Sequence, residues 1–119
     1  MNTQDALIAF DALSQETRLK AFRLLVKYGE KGAAAGVLSS ELEIPHNTLS
    51  FHLSHMSEAG LVLSRKEGRS VIYTADFSRV QDLIRFLVED CCTLDVAKIK
   101  DGKTDGSAVI KLSELSGCC

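Results

Sequence analysis

The chain has 119 residues, 14 Lys plus Arg against 16 Asp plus Glu, a net charge of −2, 45% hydrophobic residues and 25% charged. This is an ordinary globular composition for one domain, able to bury about two-thirds of its unfolded surface. It gives no global charge to attract a polyanion, so any nucleic-acid reading must rest on local charge. No run approaches the roughly 18 apolar residues that a membrane span needs, and MNTQDALIAF lacks the basic start and long apolar stretch of a secretory leader. The expected setting is the cytoplasm, where thiols stay reduced.

In chain order, QDALIAFDAL (residues 4–13) places apolar side chains at 6, 7, 10 and 13, a helical stripe. Ser14, followed by Glu16 and Thr17, marks the start of a second helix with an acid in its first turn. That helix runs through TRLKAFRLLVKYG, apolar at 19, 22, 25 and 26, and Gly29 suits its stop. EKGAAAG reads as a loop. AGVLSSELEI is a short helix with Val37, Leu38 and Leu42 inward, and Pro45 breaks it because proline cannot continue a helix through its own nitrogen. HNTLSFHLSHMSEAG then forms a helix ended by Gly60, with Leu49, Leu53 and Met56 on one face. LVLSRKEGRSVIYTAD offers two strand-like runs around Lys-Glu-Gly, a hairpin signal. DFSRVQDLIRFLVEDC is apolar at 80, 83, 84, 87, 88 and then Cys91, a stripe wide enough to pack on a partner as well as on its own core. The fold expected is mainly α with a β-hairpin wing, a winged helix-turn-helix in the order α-α-α-α-β-β-α. Residues 1–92 would form the DNA-binding and dimerisation domain. Residues 93–119, interrupted by Asp-Gly turns, are expected to form a partly mobile, cysteine-ended tail.

The helix beginning at His46 carries the functional weight. At about 100° per residue, Asn47, Ser50, Phe51, Ser54 and Glu58 lie opposite its apolar face, with His52 at the boundary. Asn47 can read an adenine edge, His46 and Ser50 can reach bases or phosphates, and Phe51 suits a thymine methyl. Asn47 and Thr48 are equally suited to first-turn capping, and His52 to packing as a hydrogen-bonded histidine. Arg65, Lys66 and Arg69 flank the hairpin turn, where a wing could track phosphates, although a charged turn is commonly just solvated.

The four cysteines come as two adjacent pairs, Cys91-Cys92 and Cys118-Cys119. Neighbouring Cα atoms lie about 3.8 Å apart, short of the roughly 4.4–6.8 Å of a relaxed disulfide, so a bridge within a pair would be strained. A bridge between the pairs stays open. Adjacent thiolates are soft ligands able to converge on one soft ion. A packing role is credible for Cys91, since reduced cysteine is often buried, and weak for a terminal Gly-Cys-Cys.

Over roughly residues 5–92 the chain resembles the ArsR/SmtB family of winged-helix repressors, through ALSQETRLKAFRLL, IPHNTLSFHLSHMSEAGLV, RKEGRSVIYTADF and FLVEDCC. More narrowly it looks like the arsenical-responsive branch, in which a cysteine pair follows the last helix. The resemblance implies a homodimer that binds double-stranded operator DNA, represses an arsenic-resistance operon and is released by trivalent arsenic, with antimony a second candidate inducer. Family members that sense arsenic on the first helix of the DNA-binding pair carry Cys-Val-Cys there, where this chain has AGVLSSEL. Members that sense zinc use His and Asp ligands on the last helix, which here has no histidine. Trivalent arsenic favours three thiolates. Cys91 and Cys92 supply two, the positions where relatives place a third are alanine and lysine, and the next thiols are Cys118 and Cys119. The rival readings are a repressor that senses redox state through the same thiols and a thiol enzyme. The enzyme reading lacks a Gly-rich or Arg-containing anion loop beside either pair.

Overall fold

A computed structural model describes residues 1–94, which form five helices and a three-stranded sheet. Helix α1, Thr3–Leu13, starts from a reciprocal cap: the Asn2 side chain accepts from the Asp5 amide at 2.8 Å, and the Asp5 carboxylate accepts from the Asn2 amide. Its inward stripe is Ala6, Ala9 and Ala12, all buried, while Leu7, Ile8 and Phe10 face outward. The expected stripe at 6, 7, 10 and 13 therefore splits, because small side chains at three-residue spacing let α1 lie close on the helices beneath it.

Helix α2 spans Glu16–Tyr28 and buries Ala21, Phe22 and Leu25. Its cap is Gln15, whose side chain accepts from the Arg18 amide at 2.8 Å; Ser14 instead closes α1, its amide donating to Asp11 O. Leu19, expected to face inward, is exposed. The expected loop after Gly29 is more ordered than its composition suggests. A 3-10 turn at Gly29–Lys31 leads into β1, Ala33–Ala34. Gly32 makes this possible: it sits at φ +70, and a Cβ there would lie 2.4 Å from Tyr73 O.

Helix α3, Ala35–Leu42, and helix α4, His46–Glu58, are joined by a three-residue turn. Glu43 takes the left-handed position at φ 56. The Ser39 hydroxyl donates to Ile44 O at 2.5 Å, and the Ile44 amide donates to Ser39 O at 3.2 Å. Leu38 is buried as expected, but Val37 is 43% exposed. Leu49, Leu53 and Met56 bury the inner face of α4.

Strands β2, Val62–Glu67, and β3, Ser70–Ala75, pair antiparallel from Val62↔Ala75 to Glu67↔Ser70. The loop is Gly68-Arg69, one residue beyond the expected Lys-Glu-Gly centre, with Gly68 at φ +61 as a tight two-residue hairpin requires. The third strand, β1, pairs with β3 through Ala33↔Tyr73 and Ala34↔Ile72, so the order is β1-β3-β2. Helix α5, Phe77–Val88, is capped by Asp76 and buries Leu83. It ends before the thiols, whereas the apolar stripe of the sequence continues to Cys91. The rest of the helix order and the hairpin wing agree with the sequence reading.

Candidate nucleic-acid interface and thiol pair

Helix α4 turns its buried leucines inward and holds His46, Asn47, Thr48, Phe51 and Ser54 outward. Ser50 and His52 are half-buried. Phe51 is 68% exposed, with its ring edge-on to His52 at 5.8 Å between centroids. The Asn47 side chain accepts from the neighbouring Thr48 amide at 3.0 Å. The start of α4 faces the wing across a groove of about 290 Å³ lined by His46, Ser50, Arg69, Val71 and Tyr73 together with residues 34–36. Residues of α4 and of the hairpin 19 to 27 positions apart thus share one concavity. Lys66 is exposed on β2.

Two residues on the expected reading surface have partners inside the protein. Arg65 donates from Nη2 to Lys31 O at 2.9 Å, from Nη1 to Glu30 O at 3.3 Å, and from Nε to the Glu67 carboxylate at 3.1 Å. His52 Nδ1 stands 3.4 Å from Arg18 Nη1, and Arg18 Nε donates to Ala12 O at 2.6 Å. Burial, then the charges of Arg18 and His55, push the His52 imidazole below its ordinary value and favour its neutral form. His55 Nε2 lies 3.5 Å from Asp11 on α1. Arg18 and the Glu30–Lys31 carbonyls escaped the sequence reading because their partners lie 34 or 35 positions away, and no local pattern signals such a contact.

Beyond α5 the chain turns sharply. The Cys91 amide donates to Val88 O at 3.0 Å, and Asp90 and Cys92 take positive φ of 63 and 65. This brings the Cys91 and Cys92 sulfurs to 3.3 Å, both residues being half-buried. Among the described residues no group of three or more His, Cys, Asp or Glu is placed to hold a metal ion. Cys118, Cys119 and nearly all of the expected tail lie outside the described residues. Among the described residues no helix is long and apolar enough to cross a membrane.

A family profile described as a helix-turn-helix domain matches residues 13–65. The transcriptional activator HlyU of Vibrio cholerae serotype O1 is 34% identical over 86 residues, covering 72% of this chain and 77% of its own. A probable mercury resistance operon repressor of Streptomyces lividans is 33% identical over 93 residues, 71% of this chain and 72% of its own. The structure of an ArsR-like transcriptional regulator from Rhodococcus sp. RHA1 superposes with a TM-score of 0.69 at 29% identity, covering 82% of this chain and 92% of that one. These relatives are transcriptional regulators rather than enzymes, and the helix-turn-helix profile spans α3 and α4. The chain belongs to the ArsR family of winged helix-turn-helix, DNA-binding transcriptional regulators.

Proposed function

We propose that the protein is an arsenic(III)-responsive repressor that binds operator DNA as a homodimer and leaves it when the ion is captured by cysteine thiolates. The observation carrying this reading is the 3.3 Å separation of the Cys91 and Cys92 sulfurs at the end of α5. A thiophilic ion holding sulfur at about 2.3 Å with bond angles of 90–110° sets two sulfurs roughly 3.2–3.8 Å apart. The pair therefore needs little rearrangement to chelate. Trivalent arsenic takes a third thiolate, which we assign to Cys118 or Cys119 of the same chain or of its partner; antimony(III) fits the same donor set. The Streptomyces relative, named for mercury resistance, supports a soft-ion inducer.

His46, Asn47, Thr48, Ser50, Phe51 and Ser54 form the reading face, with His52 at its edge, and Lys66 and Arg69 meet the phosphate backbone. The outward apolar residues of α1, with Leu87 of α5 59% exposed, supply a dimer seam that would set two reading helices about 34 Å apart. Capture of the ion at the end of α5 favours a dimer geometry that misses this spacing, and the shift is limited by the ion's differential affinity for the two states. Gel-shift titration on a duplex from the promoter preceding this chain's coding sequence, with arsenite, zinc and peroxide compared, tests the reading. Arsenite alone should release the protein. The Cys91→Ser, Cys92→Ser variant should still bind the duplex and ignore arsenite; loss of binding without arsenite in that variant would contradict the assignment. Release by peroxide and not by arsenite would point to a redox sensor on the same thiols.

A further inference from the structure

We propose that Arg65 is a positioning residue for the wing, clamping β2 to the Gly29–Lys31 turn and so fixing where Arg69 stands relative to the reading helix. This inference rests on the DNA-reading interface proposed above. Val62 and Ala75, both at the hairpin's base, are buried, and β3 is half-buried from Ile72 to Thr74 with Tyr73 packed on the core, whereas β2 is exposed beyond Val62, so apolar packing does little to orient β2 itself. Strand β3 is held by its pairing with β1 and by the close passage of Gly32 under Tyr73. On the β2 side the tie is Arg65. It stands opposite Ile72, which stands opposite Ala34 in the next strand. Its side chain thus extends from β2 to two backbone carbonyls of the turn that precedes β1, while its Nε engages Glu67.

Two parallel donors on two fixed carbonyls set an orientation that one ammonium cannot reproduce. The hairpin tip lies three to four residues further on, about 10–13 Å at the rise of a strand. A tilt of roughly 10° at the clamp would move the tip by about 2 Å, enough to break a hydrogen bond to a phosphate.

The test compares Arg65→Ala, Arg65→Lys, Arg69→Ala and the Arg65→Ala, Arg69→Ala double variant with the wild type. Affinity for the promoter duplex is measured by fluorescence anisotropy across a salt series, and wing amide exchange is measured in the DNA-free protein. Arg69→Ala should weaken binding and reduce the salt slope by about one. Arg65→Ala should weaken binding roughly tenfold with a similar slope change, Arg65→Lys should stay close to it although it keeps the charge, and the double variant should be no weaker than the weaker single. Amides of residues 64–73 should exchange faster in Arg65→Ala, with those of α2 and α4 unchanged.

Additive losses with a slope reduced by about two, or wild-type affinity in Arg65→Lys, would overturn the proposal by showing that Arg65 meets phosphate itself. Unchanged wing exchange would also overturn it. A wild type without duplex affinity would instead overturn the DNA-reading interface, and the exchange experiment alone would then decide the clamp.

Discussion

Phe51 and His52 are neighbours on α4, yet they meet different surroundings. Phe51 projects from the helix with no core around it, so Phe51→Ala should change stability by less than about 0.5 kcal/mol. The same substitution should cost roughly fivefold in duplex affinity if the ring meets a thymine methyl; thermal melting and anisotropy on one preparation separate the two effects. His52 is kept neutral by burial first and then by the charges of Arg18 and His55. Its folded-state value lies below the unfolded one, so the unfolded chain binds the proton more readily. The stability contributed by the neutral ring is present above the unfolded value of about 6.5 and is lost as pH falls from there through the folded value. The thermal midpoint should therefore drop between about pH 7 and 5, and His52→Gln should flatten that drop; an equal slope in both proteins would remove His52 from the account. The exposure of Phe51 was legible from helical periodicity. The depressed His52 was not, because it follows from burial of the ring in the packed fold and then from Arg18, which reaches it from 34 positions away.

The helix-turn-helix depends on how α3 hands over to α4. Pro45 announces the break, but the angle is held by the Ser39 hydroxyl on Ile44 O and by Glu43 in the left-handed region. Ser39→Ala should cost about 1 kcal/mol in chemical denaturation and weaken duplex binding beyond that loss, since the reading helix is re-aimed. On α4 itself, Leu53→Ala should cost about 2–5 kcal/mol, because Leu53 is fully enclosed in the core. Helix periods, proline and glycine made these elements readable. β1 was not readable: two alanines carry no strand signal, and they become a strand only because β3 offers an open edge beside them. Likewise α5 stops at Val88 although its apolar pattern continues to Cys91, because a turn with left-handed residues closes the chain there.

At the scale of the molecule, Leu7 on α1 is 56% exposed and Leu87 on α5 is 59% exposed. If these faces form the dimer seam, Leu7→Arg should yield a monomer by light scattering and abolish specific duplex binding, while circular dichroism keeps its helical signal. A dimer with unchanged affinity would place the seam elsewhere. What the sequence alone determined was the order of helices and hairpin, the polar face of α4 and the presence of paired thiols, because each is written in local periodicity, breakers and composition. Only the tertiary structure decided which apolar residues of α1 turn outward, that Arg65 is engaged by the turn before β1, that Arg69 shares a groove with His46 and Ser50, and that the Cys91 and Cys92 sulfurs stand 3.3 Å apart. These depend on contacts between distant segments and on one backbone turn, whose geometry is set by the packing of the whole chain rather than by any stretch within it.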